Sequence, residues 1–289
     1  MVRGSILLLP LAILAACAAH HPRSAATPTR QYRNGTQGPL VIDERVPPFA
    51  TKPNEPFNRQ DAVAIALGEW RLFGQPVDDR DPKDVPPAGP QSKPERQPGL
   101  WERIGEYWWV GQDPGEREAA WTGKHDSDGN VFSFTVDGDY AWSAAFISYV
   151  MRVAGAGSRF FYAPNHGTYI NAAVEGVSPS VKACAPNICA PKPGDIICVG
   201  RDKSASFRFQ DLPTAALFPA HCGIVVTTQP GVISIIAGNV DDAVTLTHVP
   251  VTADGTLAQP DGTIVDTRYP WLVVLQVVYD AEAEPASDE

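Results

Sequence analysis

Four short stretches of the chain carry side chains whose types could do chemistry. Trp142 and Ser143 stand at the start of an apolar helical pattern in YAWSAAFISYV. A Pro-Gly-Asp precedes a first apolar run, His221 opens a second run in HCGIVV, and Asn239 closes a third in IAGNV. A serine hydroxyl can act as a nucleophile when a histidine within hydrogen-bond reach takes its proton. Structural roles are the alternative: Ser143 as a helix N-cap, His221 as a strand-edge histidine and Asn239 as a turn residue.

The order and spacing of these stretches resemble the papain-like cell-wall peptidases, namely the NlpC-like and the cysteine, histidine-dependent amidohydrolase/peptidase families. A closer resemblance, on WSAAFIS and on Asn-His-Gly-Thr-Tyr-Ile at 165–170, is to the bacterial domain of unknown function 2272 family. The resemblance covers residues 58–280. It implies a papain-like α+β domain in which N-terminal helices pack on an antiparallel β-sheet, and it implies no cofactor.

The resemblance also implies roles for three residues. Ser143 stands where those peptidases have their nucleophilic cysteine, His221 is the expected base, and Asn239 is expected to orient the imidazole. The serine is a departure, because a hydroxyl forms no stable ion pair with histidine as a thiol does and must give up its proton during attack. Four further residues are expected to line the substrate groove: Tyr140, Trp142, Asp139 and His166. The sequence places His166 in a loop after the helix.

These expectations lead to three hypotheses about function. The first is hydrolysis of an amide bond in peptidoglycan stem peptides. The second is a binding or scaffolding module of the cell envelope that keeps the peptidase cleft without turnover and recognises peptidoglycan or another envelope protein. The third is an acyltransferase or thioesterase-like protein that uses the same triad on lipid substrates.

The N-terminus predicts export. Residues 1–16 have the pattern of a secretory signal, with an apolar run about half the ~20 residues that a membrane-spanning helix needs. Leu14-Ala15-Ala16-Cys17 resembles the lipobox of bacterial lipoproteins, which implies acylation of Cys17 and, with Ala18, an outer membrane lipoprotein facing the periplasm. Ordinary cleavage beside an incidental cysteine is the alternative. The net charge of -10 and the lack of a basic run argue against a nucleic-acid partner.

The remaining chain divides into a tether, one domain and a tail. Residues 17–57 contain seven prolines and predict a tether, residues 58–280 the domain, and residues 281–289 an acidic tail. Within the domain, 75–99 is a Pro-rich loop. Helical periodicity follows Asn58, continues in GLWERIGEYWW and is strongest in DGDYAWSAAFISYVMRVAGAG. Short Val- and Ile-rich runs after the loop that contains Cys184 and Cys189 predict antiparallel strands, so the expected fold class is α+β.

Four cysteines remain after the signal and Cys17. An even number in an oxidising compartment favours disulfides. Three pairings are open to four cysteines. We expect Cys184 with Cys189, which share a short Pro-rich loop, and Cys198 with Cys222, which lie in two apolar strands. A zinc site is the alternative; its usual close spacing is absent, so no metal site is expected.

Overall fold

The computed structural model describes residues 56–84, 93–134 and 140–279. The predicted signal peptide 1–16, Cys17, almost all of the tether, Asp139 and the acidic tail 281–289 lie outside the described residues. None of the helices in the described ranges is long and apolar enough to cross a membrane.

The described chain forms four α-helices followed by six β-strands. The helices are α1 Arg59–Leu72, α2 Leu100–Gly111, α3 Ser143–Val153 and α4 His166–Val174. The strands are β1 Val181–Cys184, β2 Ile196–Gly200, β3 Ala220–Gln229, β4 Val232–Val240, β5 Ala243–Pro250 and β6 Trp271–Val277. They form one antiparallel sheet in the order β1-β6-β2-β3-β4-β5. The predicted α+β class is confirmed.

Local chemistry explains where the predicted helices begin and end. Asn58 is the N-cap of α1, and its Oδ1 accepts a hydrogen bond of 2.8 Å from the backbone N–H of Asp61. Gly74 follows the helix with φ of 82°, a conformation that glycine adopts without strain. The apolar residues that recur at helical spacing in α3 pack into the core, and the helix is buried along most of its length.

Two elements differ from the sequence-based expectation. His166 does not lie in a loop, because it is the first residue of α4. That helix has only nine residues and includes Gly167, so its apolar pattern is too short to stand out. Cys184 ends β1, a four-residue edge strand that pairs with β6, so the cysteine-containing segment is a loop only after Cys184.

Close backbone packing holds α3 between α2 and the sheet. A Cβ atom added at Gly111 of α2 would lie 2.5 Å from the carbonyl oxygen of Ala145. A Cβ added at Gly238 of β4 would lie 2.6 Å from Cβ of Phe146 and 2.7 Å from Cζ3 of Trp142. Both glycines therefore let their elements approach α3 more closely than any other residue would.

Both expected disulfides are present. Cys184 is bonded to Cys189, and Cys198 is bonded to Cys222. The second pair joins directly opposite residues of β2 and β3 and is completely buried in the core between sheet and helices. It therefore cross-links the two central strands of the sheet, one of which carries His221.

The packing of α3 predicts the effect of one substitution. Gly238→Ala should lower the free energy of unfolding by about 1–3 kcal/mol, because the added methyl group forces β4 away from Phe146 and Trp142. Chemical denaturation measures the change. Gly68→Ala is the matched control, since a Cβ at Gly68 in α1 meets no atom within 4 Å and alanine favours the helix. Equal stability of the Gly238→Ala variant and the native chain would contradict the packing account.

Candidate functional site

Ser143 and His166 meet where two helices begin. Ser143 is the first residue of α3, and its Oγ lies 2.7 Å from Nε2 of His166, the first residue of α4. Both side chains are buried: Ser143 is 6% exposed and His166 is 3% exposed. The preceding residue, Trp142, is the N-cap and makes no side-chain capping bond. Ser143 therefore does not cap α3, and its hydroxyl bonds to a histidine instead.

The start of α4 fixes the position of His166. Asn165 caps the helix by accepting a hydrogen bond of 3.0 Å from the backbone N–H of Thr168. Gly167 lets the helix lie against Phe218, because a Cβ there would be 3.2 Å from the backbone nitrogen and oxygen of Phe218. Tyr169, three residues after His166 and on the same helix face, hydrogen-bonds to Nδ1 of the imidazole through its hydroxyl. The two ring nitrogens of His166 are thus both engaged.

His221, the base expected from sequence, lies beside this pair without bonding to it. Its ring centre is 5.7 Å from that of His166, at an angle of 66°. Within the described residues neither ring nitrogen of His221 has a hydrogen-bond partner, and both nitrogens are buried. Ser143 and His221 are therefore close in the fold, but the hydrogen bond to the serine comes from His166.

Burial keeps both histidines neutral. It lowers the pKa of His166 well below its usual value, and the positive charge that a protonated His221 or Arg201 would place nearby lowers it further. Burial and Arg201 lower the pKa of His221 to about 3. At neutral pH each imidazole therefore has one N–H donor and one acceptor nitrogen.

The two hydrogen bonds that link Ser143, His166 and Tyr169 can run in either of two directions. If Nδ1 of His166 carries the proton and donates to Tyr169, Nε2 accepts from the hydroxyl of Ser143, which is the direction that nucleophilic attack needs. If the Tyr169 hydroxyl donates to Nδ1, the N–H is on Nε2 and Ser143 accepts. The same heavy-atom positions are compatible with both.

Three other expected site residues line a separate pocket. Tyr140, Trp142 and Asn239 surround it together with Glu95. Asn239 has a left-handed conformation, with φ of 59°, at an irregularity between β4 and β5. This type of distortion changes where the neighbouring side chains point. No hydrogen bond joins Asn239 to His221, whose ring nitrogens have none, and Asp139 lies outside the described residues.

The aromatic residues of the pocket are fixed by packing. Trp142 is 1% exposed, and its indole Nε1 donates a hydrogen bond of 2.9 Å to Oε2 of Glu95. Tyr140 stacks on Phe132 with ring centres 3.5 Å apart. Their surroundings make them walls of the pocket rather than exposed stacking surfaces.

Sequence reasoning missed the partner of Ser143, the role of Tyr169 and the position of Glu95. The first two had a signal in Asn-His-Gly-Thr-Tyr-Ile, where an N-cap residue is followed by histidine and tyrosine at helical spacing. No pattern in the sequence indicated the position of Glu95, because it lies in the Pro-rich loop 75–99 and only tertiary packing brings it to Trp142. The described part of the chain contains no group of three or more His, Cys, Asp or Glu side chains that could hold a metal ion.

The neutral histidines predict acid sensitivity. The unfolded chain protonates His221 below about pH 6.5, whereas the folded chain does so only near pH 3. The free energy of unfolding should therefore fall as the pH drops from 6.5 to 4, and His221→Gln should reduce that slope by up to about 1.4 kcal/mol per pH unit. Denaturation curves across this range measure both slopes. Identical slopes for the native chain and the variant would show that His221 is not held neutral.

Comparison with known proteins identifies a family for this chain. No curated protein and no solved structure matches the chain. The family that does match is described as an uncharacterized protein conserved in bacteria, DUF2272, and its match covers residues 95–277. That range includes α2, α3, α4 and all six strands, and therefore Ser143, His166 and His221. The match spans more than half of the chain, so the protein belongs to the domain of unknown function 2272 family.

Proposed function

We propose that this chain is a serine-dependent hydrolase in which Ser143 is the nucleophile and His166 the base. The hydrogen bond of 2.7 Å between Ser143 Oγ and His166 Nε2 is the observation that supports it. This differs from the expectation drawn from sequence, in which His221 was the base and Asn239 its orienting residue. Tyr169 takes the orienting position, since its hydroxyl bonds to the second ring nitrogen of His166.

The proposed reaction needs only these groups and water. Nε2 of His166 takes the hydroxyl proton while Oγ of Ser143 forms a bond to the carbonyl carbon of the substrate. The proton then passes to the leaving amine as the carbon–nitrogen bond breaks, which leaves an acyl ester on Ser143. A water molecule deprotonated by His166 attacks this ester, and the ester oxygen recovers its proton as the carboxylic acid leaves.

The start of α3 suits the stabilisation of an oxyanion. The first intrahelical hydrogen bond runs from the backbone N–H of Phe146 to the carbonyl of Trp142. The preceding N–H groups have no intrahelical acceptor, and the side chain of the N-cap residue, Trp142, does not cap them. Such groups beside a nucleophile can donate to the negative oxygen of the tetrahedral intermediate.

The substrate class and the cellular location in this proposal are taken from the sequence resemblances. The resemblance to the papain-like cell-wall peptidases suggests an amide bond of peptidoglycan stem peptides, and the lipobox at Cys17 suggests an outer membrane lipoprotein whose domain faces the periplasm. A lipid on Cys17 would hold the domain at the membrane, because each buried CH2 contributes about 0.8 kcal/mol.

A second candidate function is a binding or scaffolding module without turnover. One observation favours it: within the described residues, the buried Tyr169 hydroxyl has only Nδ1 of His166 as a partner. A buried donor left without an acceptor is costly, which favours donation from Tyr169 to Nδ1. Ser143 then accepts from Nε2–H and is not activated. Peptidoglycan or another envelope protein would be the ligand.

Labelling with a fluorophosphonate, a reagent that reacts with activated serines, tests the first function. We expect the native chain to be labelled, Ser143→Ala to be unlabelled, and the exposed-serine control Ser206→Ala to react like the native chain. His166→Gln should lower the labelling rate by about 10²- to 10⁴-fold, because it removes the base. His221→Gln should keep the rate within a few fold.

Two results would contradict this assignment. A large rate loss in His221→Gln with none in His166→Gln would reassign the base to His221. Absence of labelling in the native chain, together with retained binding to purified sacculi, would support the binding module over the hydrolase.

The membrane anchor is tested separately. Radiolabelled palmitate should be incorporated into the native chain and not into Cys17→Ser, because the acyl acceptor is that cysteine. Fractionation of cells should place the labelled protein in the outer membrane. Equal incorporation into the two chains would contradict lipidation at Cys17.

A further inference from the structure

Arg201 is an exposed cation near the Ser143–His166 pair, and the proposed reaction does not use it. It directly follows Gly200, the last residue of β2. Within the described residues its side chain forms neither a hydrogen bond nor an ion pair. Unpaired arginines are common on protein surfaces, so what distinguishes Arg201 is its position.

The register of β2 and β3 places Arg201 on the same face of the sheet as His221. Val199 lies directly opposite His221. Arg201 continues this pairing, because its backbone is extended, with φ of -122° and ψ of 160°, and its N–H donates a hydrogen bond of 3.0 Å to the carbonyl of Pro219. Since side chains alternate between the two faces, Arg201 is the diagonal neighbour of His221, at a typical separation of about 7–8 Å.

The charge of Arg201 acts on both histidines of the site. Besides burial, it lowers the pKa of His221, and together with a protonated His221 it lowers the pKa of His166. In the described ranges, no carboxylate is among the charges that act on either imidazole. The surroundings of Ser143 thus have a local positive potential, although the net charge of the chain is -10.

The backbone of Arg201 is held in place while its side chain is free. Its carbonyl oxygen accepts hydrogen bonds from the backbone N–H of Ser204, at 2.9 Å, and from the Ser204 hydroxyl, at 2.7 Å. Ser204 is completely buried, and this turn requires Gly200, because a Cβ there would collide with the carbonyl oxygen of Ser204. A side chain that starts from a fixed backbone loses less freedom when it binds a ligand.

We propose that Arg201 binds a carboxylate of the substrate close to the scissile amide bond, so that the hydrolase is selective for anionic peptides. This inference rests on the proposed function. A carboxylate accepts two parallel hydrogen bonds from an exposed guanidinium, which a neutral group does not match. An extended residue spans about 3.3–3.6 Å, so a carboxylate two residues from the scissile bond is displaced about as far as Arg201 is from His221.

Three fluorophosphonates test this selectivity on the full chain. They share a short alkyl chain that ends in a carboxylate, in its methyl ester or in a quaternary ammonium group. We expect the carboxylate reagent to label Ser143 at least about tenfold faster than the methyl ester, because it gains hydrogen bonds to a charged group. The ammonium reagent should react most slowly, since like charges repel.

A variant shows whether Arg201 is responsible. Arg201→Gln should be labelled at equal rates by the carboxylate reagent and the methyl ester. The ratio of the two rates distinguishes a contact with the reagent from an effect on His166, which would change both rates together. Arg71→Gln is the matched control and should keep the tenfold preference, since Arg71 is also exposed, is also unpaired within the described residues, and lies in the last turn of α1.

Competing peptides identify which carboxylate of a peptide is bound. N-acetyl-diglycine carries it at the C-terminus, and N-acetylglycyl-glutamic acid amide carries it on a side chain. Their neutral counterparts are N-acetyl-diglycine amide and N-acetylglycyl-glutamine amide. We expect one of the two acids to protect Ser143 from the methyl ester reagent better than its own neutral counterpart does, and Arg201→Gln to abolish the difference.

The results that would overturn the proposal differ from those that would overturn the hydrolase. Equal rates with the carboxylate and methyl ester reagents in the native chain, or an unchanged preference in Arg201→Gln, would refute the role of Arg201 alone. Equal protection by each acid and its neutral counterpart would refute it too. If none of the three reagents labels the native chain, the proposed hydrolase fails, and the selectivity fails with it.

Discussion

The close packing of α3 between α2 and the sheet is the constraint on which the Ser143–His166 pair and the pocket beside Trp142 both depend. Gly111 and Gly238 let the flanking elements approach the helix to distances that no side chain would permit. This packing fixes the N-terminus of α3, where the side chains of the adjacent residues Trp142 and Ser143 contact different groups. Ser143 turns toward α4 and His166, and Trp142 lies against Gly238 and bonds to Glu95. The start of α3 thus contributes Ser143 to the Ser–His pair and Trp142 to the wall of the separate pocket.

Burial has opposing consequences for the Ser143–His166 pair. It removes water that would compete for the serine hydroxyl and strengthens the hydrogen bond between them. It also lowers the pKa of His166, so the imidazole is available as an acceptor over the physiological range but is a weaker base than an exposed histidine. The location of the proton on His166 therefore distinguishes the proposed hydrolase from the proposed binding module. Tyr169 is the residue that sets it, through its bond to Nδ1.

The sequence predicted the fold class, three of the four helices, the strand-rich C-terminal half and both disulfides. Those features are local: Asn58 caps α1, apolar spacing defines α3, and Cys198 and Cys222 lie in neighbouring strands. The site was predicted less well, because its contacts join distant parts of the chain. The periodicity of residues 166–174 was too short to indicate α4, and a histidine whose helix is missed cannot be placed beside Ser143. The pairing of Glu95 with Trp142 likewise spans 47 residues and depends on tertiary packing.

In the proposed hydrolase, His166 accepts the proton of Ser143. Long-range hydrogen–nitrogen correlation spectra of 15N-labelled protein distinguish the two neutral forms of His166 directly, without a substrate. The hydrolase account predicts that at pH 7 the proton is on Nδ1, donated to Tyr169, and that Nε2 is an unprotonated acceptor. A proton on Nε2 would contradict it, because Ser143 would then accept a hydrogen bond from His166 rather than lose its own proton to it.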